Sequence, residues 1–293
     1  MASLPPSAPV SACPPLRRPN AAPLVAPNGV HFLSIPFWQA QLPWLWHGFS
    51  TRKGGLSHCY AAQGSPGELN LGFTAADDRQ LVAANRRLLA EAVSGSPATP
   101  LIPIRQIHSS VVHLATRSDA DLPVGCEADG QITSEPGLLL AVQTADCIPV
   151  LVADRKRRVV AAFHAGWRGT VQRLVENGII LLRSQFGSQP SDLVAAIGPG
   201  IGACCYAVGP ELLQEFESQF AYGRELFHPA GPALHLDLVE ANRRQLLAAG
   251  LALHDIQLTG GCTSCQPDLF FSHRASGGNA GRMMSVIGIR PQP

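Results

Sequence analysis

The feature that most constrains this chain is a central stretch in which short apolar runs alternate with polar turns. The segment GLLLAVQTADCIPVLVAD predicts two buried strands around a polar turn at residues 144–147. RRVVAAFHAGW predicts a third strand that runs into His164, and DLVAAIGPGIG predicts a fourth that ends in glycines. Apolar runs of about four to eight residues bounded by turn signals are typical of fully buried strands.

Helices are predicted before, between and after these strands. DDRQLVAANRRLLAEAV places leucines at near-helical spacing behind an Asp pair that suits a helix N-terminus. GTVQRLVENGIILLRSQFG is predicted to be one amphipathic helix ended by Gly187, and PELLQEFESQFA and LDLVEANRRQLLAAG to be two more. Interleaved strands and helices predict an α/β or α+β class, a single layered domain of mixed β-sheets flanked by helices.

Composition limits the classes of function. The 293 residues are 46% hydrophobic and 15% charged, and the net charge of +1 creates no field that would attract nucleic acid or a membrane. No apolar run approaches the length of a bilayer span. Eight cysteines in a chain of this length indicate reduced thiols rather than a disulfide scaffold. We therefore expect a cytoplasmic protein without nucleic-acid or membrane partners, a monomer or a weak homo-oligomer.

The N-terminal segment differs from the rest of the chain. Residues 1–30 are rich in Pro and Ala, and the first acidic residue is Glu68. We predict a disordered tail over residues 1–30 and a catalytic domain over residues 31–293. Organelle targeting is the alternative for the tail, because it carries Arg17 and Arg18 without acids, although it has few serines.

Three segments place metal-binding side chains at the ends of predicted strands. They are RQIHSS with His108, QTADCIPV with Cys147 and FHAGWRGT with His164. One Cys and two His suit zinc, and three protein ligands leave a fourth position open, which is the catalytic arrangement. From spacing alone the alternatives stay open, since a histidine at a strand end is commonly structural and a cysteine in an apolar run commonly packs as a small hydrophobic residue.

Longer motifs add a resemblance. From about His47 to Ile289, the segments QIHSS, ADGQITSEPGLLLAVQTADCIPVLV, VVAAFHAGWRGTV, AAIGPGIGACCY and CTSC followed by FFSHR resemble the YfiH/laccase-domain family. Its members have been called polyphenol oxidases and, more recently, purine nucleoside phosphorylases with adenosine deaminase activity. The resemblance implies a YfiH-like fold. It also implies a metal held by His108, Cys147 and His164, with zinc as the expected ion and copper as the alternative.

Other positions are candidates for binding and catalysis. Arg168 opens the helix after HAGWRG, where backbone N–H groups favour an anion, so it is the first candidate for phosphate binding and catalysis. Arg52, in FSTRKGG, is a further candidate for an anionic group, with a surface arginine as the alternative. Asp146 could orient a ligand, act as a general acid or base, or be structural. Asp129 resembles a family motif and could instead cap a turn.

The remaining cysteines are weaker candidates for the catalytic metal site. Cys262 and Cys265 form a CxxC pair, but a structural zinc needs a second pair, so we do not expect the catalytic metal there. Cys204 and Cys205 are expected to belong to the pocket wall or the core.

The chain departs from the family pattern at three positions. Ala207 stands where the family usually has Glu after ACCY, while His273 and Ala275 replace the Tyr and the second Arg of FFSYRRD. These departures concern substrate contacts rather than the three metal ligands.

Four functions follow from these observations. The first is zinc-dependent phosphorolysis of purine nucleosides, with adenosine deamination at the same site. Its substrates would be phosphate together with adenosine or inosine. Guanosine and 5′-methylthioadenosine would be additional nucleoside substrates. The second is a cysteine hydrolase or amidase acting on peptidoglycan precursors, with Cys147 as nucleophile and His164 or His108 as its base. The third is a copper-dependent polyphenol oxidase, although the sequence has no HxH or HCH copper clusters. The fourth is a non-enzymatic binding protein.

Overall fold

The computed structural model describes residues 19–122 and 125–292. The helices of these residues are α1 (Pro36–Gln41), α2 (Arg79–Ser94), α3 (Trp167–Val171), α4 (Leu174–Phe186), α5 (Pro210–Gln219) and α6 (Leu238–Ala248). The strands of the first half are β1 (Leu24–Val25), β2 (His31–Leu33), β3 (Leu45–Ser50), β4 (Lys53–Ser57), β5 (Leu101–Ile102), β6 (Ile104–Arg105), β7 (Val112–Leu114), β8 (Cys126–Glu127), β9 (Gly130–Thr133) and β10 (Leu139–Thr144). The strands of the second half are β11 (Ile148–Asp154), β12 (Val160–Ala165), β13 (Leu193–Ile197), β14 (Ala207–Val208), β15 (Phe227–Ala230), β16 (Ala233–Leu236), β17 (Ile256–Leu258) and β18 (Met283–Ile289).

Two six-stranded sheets form the centre of the fold. The first has the order β1-β2-β3-β18-β10-β5 and the second has the order β17-β13-β11-β12-β9-β7. Most neighbours are antiparallel, while β5 with β10, β13 with β17 and β7 with β9 are parallel pairs. Two smaller sheets have the orders β14-β16-β15 and β6-β8. These mixed sheets with flanking helices confirm the predicted class.

Alternate residues of the central strands face opposite hydrophobic layers. On β10, Leu140 and Val142 pack between the two sheets, whereas Leu139 and Ala141 belong to the layer that also contains residues of α2. Strands β11, β12 and β13 alternate in the same way between the inner layer and a third layer under α4 and α6. Because both faces of these strands are buried, nearly every position is apolar, which explains the continuous apolar runs in the sequence.

The single helix predicted over residues 169–187 is wrong, because the structure has two helices there. Arg173, with φ of 62°, separates α3 from α4. The Thr170 carbonyl accepts a hydrogen bond from Gln245 Nε2 at 2.7 Å, and the Thr170 hydroxyl accepts one from Asn242 at 3.1 Å. The Thr170 carbonyl also accepts a hydrogen bond from the Arg173 N–H at 3.0 Å, which closes a turn three residues long instead of the four-residue spacing of an α-helix. Gly187, with φ of 68°, ends α4 as predicted.

The division of the chain at residue 31 stays a prediction. Residues 1–18 of the predicted tail, with Cys13, lie outside the described residues. Within the remainder of that segment, Leu24 and Val25 form β1 and pair with β2. None of the described helices has the length and apolar composition needed to cross a bilayer.

His47, on β3, holds the start of α1. Its Nε2 accepts a hydrogen bond from the Ile35 N–H at 2.9 Å, and its ring meets the Trp38 ring edge-on with centroids 5.1 Å apart. Burial lowers the pKa of His47 from 6.5 to about 4. The imidazole is therefore neutral in the folded protein at pH 7.

We expect the free energy of unfolding to decrease as the pH falls from 6.5 to about 4. Between the unfolded pKa of 6.5 and the folded pKa of about 4, the unfolded chain protonates His47 and the folded chain does not. Lower pH therefore favours unfolding, by up to about 3 kcal/mol from this residue. Urea unfolding of the wild type and of His47→Gln across this interval measures the effect, and the variant should lose less stability. Equal losses in the two proteins would contradict it.

Candidate active site

Strand pairing in the second sheet brings the predicted metal ligands together. β11 and β12 are antiparallel, with Pro149 opposite His164, so Cys147 at the start of β11 lies beside the end of β12. His108 lies in the loop between β6 and β7, and β7 reaches β12 through β9. Three side chains that are distant in sequence therefore meet at one end of the sheet.

The three predicted ligands form a compact cluster. The donor atoms of His108, Cys147 and His164 all lie within 4.8 Å of one another. The two imidazole rings meet edge to face, with centroids 5.0 Å apart. His164 is buried, Cys147 is half-buried and His108 is exposed, so the cluster opens to solvent on the His108 side.

A buried carboxylate, Asp129, orients two of these ligands. Its Oδ1 lies 2.9 Å from His164 Nδ1 and accepts a hydrogen bond from the His108 N–H at 3.1 Å. Its Oδ2 accepts from the N–H and the hydroxyl of Ser109, at 2.6 and 2.8 Å. Because Asp129 occupies Nδ1 of His164, Nε2 is the nitrogen left for Cys147 or a metal.

The backbone around the cluster adopts uncommon conformations. His108 and Asp146 have φ of 58° and 104°, a region that residues other than glycine rarely adopt. At Gly166, a Cβ would lie 3.0 Å from Cys147 Sγ and 3.1 Å from His108 Cδ2. The glycine of HAGWRG therefore leaves room for the cluster. Such conformations concentrate at functional sites, where the surrounding structure holds them.

The charges of the cluster favour a thiolate beside an imidazolium in the metal-free protein. Burial opposes ionisation of Cys147, but the charge of His164 and hydrogen bonds from both histidines lower the pKa of Cys147 to about 6. Burial also opposes protonation of His164, but Cys147 and Asp129 raise the pKa of His164 to about 9. The Asp129 carboxyl has its pKa lowered to about 2, because hydrogen bonds from His164 and Ser109 outweigh the effect of burial.

This donor set fits a single metal ion. One thiolate sulfur and two imidazole nitrogens are ligands that zinc and copper both accept. A carboxylate bonded to the second nitrogen of a histidine, as Asp129 is to His164, commonly orients a metal-binding imidazole. A cysteine nucleophile paired with a histidine has the same composition, so the cluster supports two chemistries.

The cluster lies in a pocket of about 650 Å³. Four arginines from separate segments line it: Arg105, Arg168, Arg274 and Arg282. The aromatic side chains of Trp167 and Tyr206 line it as well.

Three of these arginines have no carboxylate partner within residues 19–122 and 125–292. Arg168 stacks on Trp167, with its guanidinium carbon 4.4 Å from the ring centroid. Arg274 donates to the Ala207 carbonyl at 3.0 Å, and Arg282 donates to the Ala280 carbonyl at 2.6 Å. The pocket is therefore positively charged and suits an anion such as phosphate, whose oxygens match the guanidinium fork.

Asp146 lies in the pocket, but both of its carboxylate oxygens are engaged. Oδ1 accepts from the Thr263 hydroxyl at 2.6 Å, and Oδ2 accepts from the Arg274 N–H at 2.7 Å. The Asp146 carbonyl accepts from the Ile201 N–H at 2.7 Å. These contacts tie two loops, β13–β14 and β17–β18, to the turn that carries Cys147. They support a positioning role, and the catalytic role predicted for Asp146 stays a prediction.

Arg52 does not line this pocket. Its guanidinium pairs with Glu68 at 2.6 Å, donates to the Pro267 carbonyl at 2.6 Å and lies 4.7 Å from the centroid of the Phe271 ring. These contacts join loops of the protein to one another. The anion-binding role of Arg52 stays a prediction without a contact that favours it.

The three departures from the family pattern take different positions. His273 lines the pocket, so its replacement of tyrosine changes the pocket surface directly. Ala207 contributes its backbone carbonyl to Arg274, a contact that any residue could make. Ala275 donates its N–H to Ser272 Oγ at 3.1 Å.

Several pocket residues were not predicted from the sequence. Arg282 follows the glycine-rich turn GGNAG at the start of β18, and Arg274 stands in the FFSHR motif; an arginine beside such a turn or motif is the signal that could have identified them. The role of Asp129 was left open, although its position directly before a strand was visible. Its contact with His164 depends on the pairing of β9 with β12.

We expect Cys147 of the metal-free protein to react with iodoacetamide with a pH midpoint near its pKa of about 6. The thiolate is the nucleophile, so the rate should be constant above this pKa and should fall about tenfold per pH unit below it. Peptide mapping by mass spectrometry measures the rate at each cysteine. Cys59 is an internal control, because partial desolvation of its thiol and the carboxylate of Asp77 raise the pKa of Cys59 to about 11. A Cys147 midpoint at the pKa of an ordinary thiol, about 8.5, would contradict the pairing with His164.

The chain is similar to proteins with assigned names. The family model described as "Multi-copper polyphenol oxidoreductase laccase" matches residues 46–290. "Purine nucleoside phosphorylase YlmD" of Geobacillus stearothermophilus is 37% identical over 253 residues, which cover 84% of this chain and 90% of the relative. "Adenosine deaminase RL5", from an unknown prokaryotic organism, is 32% identical over 247 residues, which cover 82% of this chain and 92% of the relative.

A solved structure is similar over the same region. The crystal structure of the hypothetical protein YfiH of Bacillus licheniformis matches with a TM-score of 0.79 and 32% identity, covering 92% of this chain and 98% of that chain. This confirms the predicted YfiH-like fold, and the names of the relatives support an enzyme. The chain therefore belongs to the family described as multi-copper polyphenol oxidoreductase laccase, the YfiH/laccase-domain family that its motifs resemble.

Proposed function

We propose that this protein catalyses the phosphorolysis of purine nucleosides, with deamination of adenosine as a second activity at the same site. The observation that carries the proposal is the meeting of a metal-binding triad and three arginines without carboxylate partners in one pocket of the described residues. Relatives named purine nucleoside phosphorylase and adenosine deaminase support it. Its substrates are purine nucleosides and phosphate.

Zinc is the metal that we propose for His108, Cys147 and His164. When bound, it would supply positive charge and an open coordination position in the pocket. Asp129 keeps His164 in the tautomer whose Nε2 is free to coordinate, and it holds the His108 loop by its backbone N–H. Copper accepts the same ligands, so metal analysis of the purified protein distinguishes the two ions.

The arginines of the pocket hold the phosphate. In phosphorolysis, a phosphate oxygen bonds to the anomeric carbon of the sugar while the bond to the purine nitrogen breaks. The leaving purine nitrogen takes up the proton that hydrogen phosphate gives up. Arg168, Arg274 and Arg282 would fix phosphate next to the sugar, which converts an encounter between two substrates into a reaction within one complex. The bound anion also favours the positive charge that develops on the sugar. The Asp146 carboxylate positions Arg274 by accepting a hydrogen bond from the backbone N–H of Arg274.

Side chains that line the same pocket could contact the purine base. Trp167 and Tyr206 line the pocket, with one face of each ring covered by Arg168 and Arg274 respectively, and we propose that the other face or the edge of these rings contacts the base. The side-chain amide of Gln143 has no hydrogen-bond partner in the described part of the chain, so it can read a base edge. In contrast, the Gln106 amide is already bonded to the backbone of Gln143.

A cysteine hydrolase is the second candidate. The observation that favours it is the buried pair of Cys147 and His164, whose pKa values of about 6 and about 9 describe a thiolate beside an imidazolium. Such a pair can attack an amide. No observation of this kind favours polyphenol oxidation, because each candidate metal group of the described residues holds at most two histidines. A cytoplasmic location stays a prediction.

We expect the purified protein to release hypoxanthine from inosine only when phosphate is present. Removal of the metal by a chelator should abolish the release, and zinc should restore it, because the triad is part of the pocket. His108→Ala should lower kcat/KM by about 100-fold through loss of a ligand. The hydrolase predicts the opposite pattern, in which chelated protein cleaves amides and alkylation of Cys147 stops the reaction. Zinc-loaded protein without phosphorolysis of inosine or adenosine would contradict the proposal.

We expect Arg168→Gln and Arg282→Gln each to raise the KM for phosphate by about 10-fold to 100-fold, because each removes charge-assisted hydrogen bonds to the anion. The KM for inosine should change much less. Arg87→Gln is the matched control, since Arg87 is an exposed arginine on α2 that does not line the pocket. Initial rates at varied phosphate measure these effects. An unchanged phosphate KM in both pocket variants would rule out their role.

A further inference from the structure

A second cluster of metal-binding side chains lies outside the triad. The Sγ atoms of Cys204, Cys205, Cys262 and Cys265 all lie within 4.8 Å of one another, and the four residues form no disulfide. The second pair that Cys262 and Cys265 lack in the sequence is therefore supplied by Cys204 and Cys205. The expectation that Cys204 and Cys205 belong to the pocket wall or the core did not include this contact.

The separations between the sulfurs distinguish a metal site from a disulfide. Cys265 Sγ lies 3.5 Å from Cys204 Sγ and 3.3 Å from Cys205 Sγ. A disulfide needs about 2.05 Å between sulfurs. Four thiolates arranged as a tetrahedron around zinc, with bonds of about 2.3 Å, have sulfurs about 3.8 Å apart. The observed separations are close to those of the tetrahedron and far from those of a disulfide.

Two adjacent loops supply the four cysteines. Cys204 and Cys205 follow β13, and Cys262 and Cys265 follow its parallel neighbour β17. The loops are joined by a bridge between Gly200 and Cys262. Pairing of the strands therefore brings the two pairs of thiols to the same place, although about 60 residues separate them.

The local backbone suits thiolate ligands. The Gly202 N–H donates to Cys262 Sγ at 3.2 Å, a contact of the kind that stabilises a metal-bound thiolate. The Cys265 N–H donates to the Cys262 carbonyl at 3.2 Å, which closes the CxxC turn. At Gly202, a Cβ would lie 3.2 Å from Cys204 Sγ and 3.6 Å from Cys262 Sγ. A larger residue would therefore crowd the sulfurs.

We propose that Cys204, Cys205, Cys262 and Cys265 form a structural zinc site that is separate from the triad. Four sulfur ligands fill the tetrahedron and leave no position for a substrate, in contrast to the three ligands of the pocket. On binding, the thiols lose their protons to solvent and bond the ion as thiolates, with no change in oxidation state.

The site acts on the pocket through the loops that it joins. Thr263, between Cys262 and Cys265, donates to Asp146 at 2.6 Å. Tyr206, next to Cys205, lines the pocket. A metal ion that clips the two loops would therefore hold Asp146 and one pocket wall in place. The proposal is independent of the reaction that the pocket catalyses.

The test measures zinc per chain in the full-length protein, purified without chelators and dialysed into metal-free buffer. The wild type should hold about two zinc ions and Cys147→Ser about one, because only the triad is broken. Adding Cys265→Ser to Cys147→Ser should remove the remaining ion. Adding Cys59→Ser instead should leave it in place, since Cys59 is an exposed cysteine outside both clusters.

A spectroscopic measurement keeps the test valid if the double variant fails to fold. Cys147→Ser loaded with Co²⁺ should show the intense sulfur-to-metal charge-transfer absorption of a tetrathiolate site. Added zinc should displace the cobalt ion and abolish this absorption. Mass spectrometry of the intact chain checks the thiols in protein purified without reductant. A folded Cys147→Ser protein with no bound zinc and no cobalt spectrum would overturn the proposal. So would a disulfide between any two of the four cysteines.

Discussion

The active site depends on the carboxylate of Asp129, which is buried at the start of a strand in the second sheet. A buried charge is costly unless it is hydrogen-bonded, and Asp129 finds its partners in His164, Ser109 and the His108 N–H. The same contacts that compensate for its burial orient one ligand and hold the loop of another. The charge of Asp129 also helps to raise the pKa of His164 to about 9. One residue therefore couples the folding of the sheet to the geometry of the triad.

The two six-stranded sheets form the rigid part of the site, and the loops at their ends form the part that can vary. The central strands are buried on both faces and hold the ends of β11 and β12 in register. The three arginines without carboxylate partners come from loops and from the short helix α3, so this part of the pocket can vary without change to the core. His273, which lines the pocket from the β17–β18 loop, is one such position. The four-cysteine cluster would restrain two of the loops that carry this variable part.

Sequence patterns predicted much of the fold because they are local. Apolar runs and glycine ends located β10 to β13, and the periodicity of leucines behind an Asp pair located α2, whose N-cap is Asp78. Periodicity did not show the break at Arg173, where φ is 62° and the preceding turn contacts Gln245 on a helix about 70 residues later. It also could not show that Arg52 pairs with Glu68 rather than lining the pocket.

By itself, the sequence determined the layered class and the family, and it predicted His108, Cys147 and His164 as metal ligands, since these lie in contiguous motifs. The tertiary structure alone decided what surrounds them. It brought Arg274 and Arg282 into the pocket beside Arg168, joined Asp129 to His164 and placed Cys204 and Cys205 against the CxxC pair. The physical reason is that strand register and loop closure determine which distant segments touch. A spacing along the chain carries no record of that contact until the sheet is paired.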